Sequence, residues 1–232
     1  MKIRVVLAAL ALIGPGAPAA AAELGFYVAG NVGQVTKDSD RSDYAAFATE
    51  IQSFFAFAPT SDRRSFDDSD MTFAVIVGYR LTRHLALEGA YTRLGTVAHR
   101  SRASGNFPMD AGTLDSTIES ETSGFTVAAV GVLPLNRDWE VFGRIGALFA
   151  NNELSVSIVA IGETFVSPAG QRISDSFSRS SNDYFAGLGL SRRVFETYDV
   201  RLEYQRFLDV GKLDTGGIGD MDAILLGLSV TF

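Results

Sequence analysis

Few residues in this 232-residue chain have the chemistry for covalent catalysis. There is no cysteine, which removes thiol nucleophiles, disulfides and thiolate metal sites. The two histidines are His84 and His99. A serine-type hydrolase or acyl-transferase needs a histidine beside a hydroxyl, with an acid to orient the ring. His99 with Ser101 or Ser104 is the local option, and nearness in sequence is weak support for it. The stretch SDRRSFDDSD holds Asp62, Asp67, Asp68 and Asp70, but their spacing fits no calcium loop, and solvated acids are expected. No phosphate loop, dinucleotide fingerprint or zinc spacing is present. The residue types therefore predict no catalytic group, no cofactor and no metal.

Charge paired away from water is better represented. Glu88, Arg144, Arg201 and Glu203 each fall on one face of a segment that alternates with period two. In VRLEYQRF, Val200, Leu202 and Tyr204 oppose Arg201, Glu203 and Gln205. In HLALEGAYTRLG, Leu85, Leu87 and Tyr91 oppose Ala86, Glu88 and Thr92, and in WEVFGRIGALFA, Phe142, Arg144 and Gly146 share a side. Successive strand side chains point to opposite faces, so these segments read as strands with one apolar and one mixed or polar face.

Eight segments have this character: 24–35, 71–81, 84–95, 123–135, 139–150, 183–194, 198–207 and the closing AILLGLSVTF. In the last, Ile224, Leu226, Leu228, Val230 and Phe232 oppose Ala223, Leu225, Gly227, Ser229 and Thr231. The inward or outward phase of the fourth is left open. The connections alternate. TR, NRD and FET are short turns, whereas the others are long loops at about 36–70, 97–122, 151–182 and 211–219. Short turns at one rim and long loops at the other are the pattern of an outer-membrane barrel, and strands of about 10–12 residues suit a tilted crossing. A sheet facing lipid must close, because no edge hydrogen bond can be left unmade in hydrocarbon. The fold expected is all-β, an eight-stranded antiparallel up-and-down transmembrane β-barrel. A soluble lipocalin-like barrel would put its large apolar side chains inside, and charges make a poor lining for such a cavity.

Lys2 and Arg4, then VVLAALALIG, then small residues give an export signal over 1–22, cleaved before Glu23, leaving 23–232 as the barrel. Loss of Lys2 and Arg4 takes the 20 basic residues to 18 against 27 acidic ones, a formal charge of −9. That balance gives no reason to expect a nucleic-acid partner. An even strand count puts both termini on the short-turn side, expected to be periplasmic.

Eight strands enclose a lumen that side chains just fill. Charges buried there must be paired. Counted from the short turns, Glu88, Arg144, Arg201 and Glu203 fall in one layer. A Glu88–Arg201 bridge across the lumen is expected, completed by Arg144 and Glu203. In the first long loop, YAAFATEIQSFFAFAP places Tyr44, Phe47, Ile51, Phe54, Phe55 and Ala58 at helical spacing. Phe47, Ile51, Phe54 and Phe55 are candidates for a contact surface, or for packing over the barrel rim.

At TFAVIVGYRLTRHLALEGAYTRLG, VRLEYQRFLDVG and the closing LGLSVTF, the chain resembles the OmpA-like transmembrane domain within the small, porin-like outer-membrane β-barrel family. The resemblance covers 24–232. It implies an eight-stranded barrel in the outer membrane of a Gram-negative bacterium, with termini in the periplasm. It also implies that Phe232 serves as the C-terminal signal read by the barrel-assembly machinery. Glu88 and Arg201 match an internal ion pair of that family. The family's second interior Lys–Glu pair has no counterpart here, where the fourth strand offers Ala128 and Ala129 and the sixth Leu190. Many relatives carry a peptidoglycan-binding domain after the barrel, and that activity is not expected here.

The function expected is that of a monomeric, non-enzymatic barrel that stabilises the envelope and displays its loops for adhesion or ligand contact. Outer-membrane lipid and lipopolysaccharide would surround it. The alternatives are a narrow, low-conductance pore gated by the Glu88–Arg201 layer and, third, a lipid-modifying enzyme.

Overall fold

The computed structural model describes residues 24–37, 41–67, 69–108, 110–162, 171–210 and 219–232. The expected leader over 1–22 and nearly all of the loop 211–219 lie outside them. The elements are β1 (Gly25–Lys37), α1 (Arg41–Phe54), β2 (Ala58–Asp67), β3 (Ser69–Thr82), β4 (Leu85–Phe107), β5 (Asp110–Pro134), β6 (Trp139–Gly162), β7 (Gln171–Phe195), β8 (Tyr198–Val210) and β9 (Gly219–Thr231).

Eight of these strands close a ring. β1 pairs with both β3 and β9, β4 pairs with β3 and β5, and every neighbouring pair is antiparallel. The ring leaves no free edge across the membrane-crossing height, as hydrocarbon requires. Alternation is regular throughout. Phe26, Val75, Val77, Leu87, Leu202, Ile224 and Leu226 are exposed on the outside, while Ala29, Ile76, Glu88, Arg201, Ala223 and Leu225 are buried within. The open phase of the fourth expected segment resolves here: in β5, Thr126, Ala128, Val130 and Val132 face inward, and Phe125, Val127 and Leu133 face outward. Val230 belongs to the outward set by alternation, but it is only 4 % exposed. It sits in register between Val28 of β1 and Tyr198 of β8.

Aromatic side chains mark two levels on the outside. Near the short turns Phe26 meets Tyr79 edge-on at 4.7 Å, and Phe195 meets Tyr198. At the other level Tyr91, Phe125 and Phe149 stand in register on β4, β5 and β6, with Phe73 beside Tyr91. The apolar belt between two aromatic girdles is the outward surface of a barrel in lipid, where ring faces and polar edges suit the interface.

The ring strands are not of equal length. β1, β3, β8 and β9 have 13 or 14 residues, whereas β4 to β7 have 23 to 25. The excess carries four strands beyond the second girdle as a sheet, roughly 30–40 Å along the strand at 3.3 Å per residue. The ranges 97–122 and 151–182, expected as loops, are therefore largely strand within the described residues. The range 36–70, also expected as loop, holds α1 and β2. β2 takes over as the partner of β4 where β3 leaves it, pairing Ala58–Asp67 against Ala98–Asn106.

The changeover is built at Gly95. Its φ of 75° lies in the left-handed region, and the β4–β5 register shifts between Arg93 and Thr96. A Cβ there would stand 2.7 Å from the Cβ of Asp70. Asp70 accepts the Thr96 and Met71 N–H groups, each at 2.7 Å, so it holds the bulge rather than a solvated charge. Asp62 likewise accepts hydrogen bonds from Gln52, Arg64 and Ser101. Partial burial works against its charge, but those three donors prevail and hold its carboxyl below the usual range.

Candidate functional site

Four layers fill the ring from the short-turn end upward. At the rim, Arg80 grips Glu140 through two hydrogen bonds of 2.7 and 3.2 Å, and Arg193 bonds Asp199 at 3.1 Å. His84 belongs to this rim: Arg83 donates to its Nε2 at 2.9 Å, which leaves Nδ1–H to donate to the Val132 carbonyl at 3.1 Å.

Above it lies the layer of charge. Glu88, Arg144, Arg201 and Glu203 come from β4, β6 and β8 and are all buried. Arg144 bridges the two acids, with Nη1 2.8 Å from Glu88 and Nε 2.7 Å from Glu203. Arg201 directs both Nη1 and Nη2 at Glu88 Oε1, each at 3.3 Å. The structure thus brings all four residues into one neutral cluster of two acids and two guanidiniums.

Sequence reasoning missed three participants. Tyr27 donates its hydroxyl to Glu88 at 2.6 Å, and Gln205 donates to Glu203 at 2.9 Å. Arg201 also stacks over the Phe142 ring at 4.4 Å, a cation–π contact in a dry setting. Each lies on the inward face of its strand, so alternation placed them in the lumen without saying which would touch. Gly78 is what lets Tyr27 reach. It stands in register between Tyr27 and Glu88, and a Cβ there would lie 2.1 Å from the Tyr27 ring. Arg144 Nη2 and Glu203 Oε2 have no hydrogen-bond partner among the described residues, so charge balance more than a complete bond network holds the layer.

The third layer is apolar. Leu148, Phe185, Phe207, Met221 and Leu225 pack with Val35, Leu94 and Ala128, and Phe185 stacks on Phe207 at 5.1 Å. The fourth is a chain of donors. Lys37 reaches the Ser120 carbonyl and Thr122 Oγ1 at 3.5 and 3.4 Å. Thr122 then donates to Asn152 at 2.9 Å, Asn152 to Ser181 at 3.2 Å, and Ser181 to Asp183 at 2.7 Å. Each member passes one donor onward, from a cation on β1 to a carboxylate on β7.

In the extension, Ile51 is buried with Phe57, Ala103, Leu114 and Ala160, and Phe55 packs against that cluster. Of the two roles expected for this stretch, Ile51 and Phe55 take packing: they hold α1 onto the inner face of the extension, because an amphipathic helix beside a sheet buries its apolar side there. Phe54 is left 80 % exposed. The placement of the Phe47 side chain lies outside the described set. His99 is buried, and Ser101 lies two residues on along the same inward face. Ser101 gives its proton to Asp62, so it is not poised for transfer to a histidine. Ser104 faces the opposite way and is exposed. Burial and the nearby Arg64 push the His99 pKa down, with Asp62 pulling against them. Among the described residues no group of three or more His, Asp or Glu side chains could hold a metal ion, and none of the described helices is long and apolar enough to cross a membrane, a fact that says nothing of crossing by strands. Phe232, the expected assembly signal, closes the ring strand with its N–H on the Phe26 carbonyl at 3.0 Å.

Solved structures of small outer-membrane proteins are similar in fold at low identity. The attachment invasion locus protein Ail of Yersinia pestis is 15 % identical, with 90 % of this chain and 98 % of that one covered and a TM-score of 0.44. Neisserial surface protein A is 17 % identical, covering 90 % and 97 %, with a TM-score of 0.43. OprG of Pseudomonas aeruginosa is 11 % identical, covering 90 % and 97 %, with a TM-score of 0.45. No curated protein matches this chain in sequence. The family model for the outer membrane protein beta-barrel domain matches residues 5–232. With that match over nearly the whole chain and a closed antiparallel ring of eight strands, the protein belongs to the outer membrane protein beta-barrel family.

Proposed function

We propose that the protein is a sealed, non-enzymatic barrel whose work is mechanical: it stiffens the envelope and holds a rigid extension out from the membrane for adhesion or ligand contact. The observation that carries this reading is the stacking within the lumen. A neutral charged layer is followed by Leu148, Phe185, Phe207, Met221 and Leu225, all 4 % exposed or less. A hydrated ion would have to shed its water to pass that apolar layer. The extension, in turn, carries order well past the lipid belt, and order is what a binding surface needs if it is not to lose affinity to entropy.

On this reading both termini face the periplasm, the extension faces outward among lipopolysaccharide, and the protein enters the membrane through recognition of Phe232 by the assembly machinery. Planar-bilayer recording of the wild type and of Glu88→Ala tests the seal. Both are expected to stay closed; steady unitary currents in the variant alone would make the charged layer a gate and overturn the mechanical reading. Mass spectrometry of lipid A from cells with and without the protein addresses lipid modification. Identical profiles are expected, and a changed acyl pattern would make the protein an enzyme.

A further inference from the structure

The extension is a sheet with two edges. On one side β2 covers β4. On the other, β7 pairs with β6 along its outer half but meets β8 only from Tyr184, opposite Leu208. Among the described residues no strand pairs with the far side of residues 171–183. The inward face of this edge carries Ile173, Asp175, Phe177, Arg179 and Ser181, with Ile173 41 % and Phe177 57 % exposed. Bare apolar groups on an unpaired strand are what sequences normally avoid, because such an edge is a template for another strand.

We propose that this edge binds a second copy of itself, β7 against β7, antiparallel and centred on Phe177. The pattern of charge selects both the direction and the register. About Phe177 the sequence is self-complementary: Asp175 of one copy falls opposite Arg179 of the other, twice, and Phe177 falls opposite Phe177. On the outward face Ser176 falls opposite Ser178, Ser174 opposite Ser180, and Arg172 opposite Asn182. No like charges meet. Parallel pairing in register sets Asp against Asp and Arg against Arg, which is unfavourable directly across a ladder. Centring on Asp175 repeats that fault, and centring on Ser176 forms no ion pair. A shift by an odd number would set inward side chains against outward ones.

The hydrogen bonding agrees. The Ser176 N–H donates to its neighbour Asp175 at 2.9 Å, which marks the even-numbered amides as those turned to the free edge. In the proposed register Ser176 and Ser178 then become a hydrogen-bonded pair, and Phe177 the closer non-hydrogen-bonded one. An interface of this kind is isologous, each residue meeting its counterpart through a two-fold axis. In an antiparallel pair that axis crosses the strands, so the two lipid-embedded rings lie at opposite ends of the joined sheet. Two rings in one membrane would run their β7 strands the same way. The partner copy therefore sits in a facing membrane, and the contact ties one outer membrane to another. This rests on the proposed outward display of the extension.

The test is vesicle tethering, with the full chain reconstituted into phosphatidylcholine vesicles that carry donor or acceptor lipid dyes. Wild type is expected to cluster vesicles. Asp175→Arg alone sets Arg against Arg, and Arg179→Asp alone sets Asp against Asp, so neither should cluster its own kind. Vesicles of one mixed with vesicles of the other restore both ion pairs and should cluster again, a result that misfolding cannot imitate. The chain has no cysteine, so Phe177→Cys should also give a disulfide-linked dimer under mild oxidation, because a non-hydrogen-bonded pair brings the two Cβ atoms within bonding range. Clustering indifferent to both charge reversals, or absent from the wild type, overturns the pairing. Labelling the introduced thiol with a membrane-impermeant maleimide on intact cells that are dispersed and freshly reduced, so that no disulfide consumes it, separates the two claims. Label without clustering refutes the pairing and leaves the display reading standing; no label refutes the display reading, and the pairing falls with it.

Discussion

Replacing Glu88 by alanine is the sharpest probe of the charged layer. The carboxylate is buried and serves Arg144 at 2.8 Å, Arg201 at 3.3 Å and the Tyr27 hydroxyl at 2.6 Å. Its loss leaves two guanidiniums facing one acid, Glu203, inside the lumen. Removing one partner of a buried pair costs about 3–5 kcal/mol, because the survivor is left uncompensated. The Tyr27 bond, donated to a charged group, is worth about 1.5–3 kcal/mol by itself and overlaps with that figure. We expect Glu88→Ala to cost about 4 kcal/mol, and Tyr27→Phe about half of that. The double change Glu88→Ala with Arg201→Ala restores neutrality around the remaining Arg144–Glu203 contact at 2.7 Å. It should therefore cost less than the two single changes together, with a coupling of about 1–3 kcal/mol. Urea unfolding in phospholipid vesicles reads these values, with Trp139, the one tryptophan, as the fluorescent reporter and the gel shift of the unheated barrel as a second probe. A loss below about 1 kcal/mol in Glu88→Ala, or strict additivity in the double variant, would refute the view that mutual neutralisation holds this layer.

Other parts of the molecule give further outcomes. Leu226→Arg, at a site 55 % exposed on the lipid face, should cost about 2–4 kcal/mol in the same unfolding assay, whereas the same change on a soluble barrel's surface would be nearly neutral. Gly95→Ala adds a Cβ at a φ of 75° and against Asp70; the left-handed strain of about 1–2 kcal/mol should make the extension sensitive to protease while the ring keeps its gel shift. Ile51→Ala empties a site shared with Phe57, Leu114 and Ala160, so cleavage near α1 should quicken, driven by a loss of about 2–4 kcal/mol. His99 is held neutral by burial and Arg64, so its contribution is complete above about pH 6.5 and falls away as acid titrates it through its lowered folded value. Protease protection of the extension should decline on acidification in the wild type, and far less in His99→Gln.

The ring was legible because lipid on one side and a filled lumen on the other impose period two on every crossing strand. VRLEYQRF and AILLGLSVTF show both the phase and the charges that turn inward. The partners of those charges were less legible. Tyr27, Phe142 and Gln205 share the inward face with many others, and only the stagger of the ring, together with the room left at Gly78, decides that Tyr27 meets Glu88. The extension reads as loop in the sequence for a different reason. In DAGTLDSTIESETS the inward residues Leu114 and Ile118 alternate with Ser116 and Ser120, while Asp115, Thr117 and Glu119 face outward. Both faces are polar enough that period two is blurred, since water rather than lipid lies outside. SDRRSFDDSD reads as solvated acid because its partners, Ser101 and Thr96, are distant in sequence.

The order of the layers bears on what the charges are for. A gate must lie where its opening opens the whole path. Here the ion pairs sit near the short turns, and the Phe185–Phe207 stack with Leu148 and Met221 closes the lumen above them. Swinging Glu88 from one arginine to the other would leave that apolar section untouched, so rearranging the charged layer does not by itself make a water path. Its geometry is better suited to joining strands. Glu88 and Glu203 on β4 and β8 are tied through Arg144 on β6, so strands that are not neighbours in the ring are clamped across the lumen. The donor chain from Lys37 to Asp183 does the same at the opposite end, from β1 across to β5 and on to β7. Two polar clamps with an apolar section between them resist ovalisation of the ring, and a ring that keeps its shape keeps the four long strands, and the β7 edge they present, in a fixed orientation relative to it.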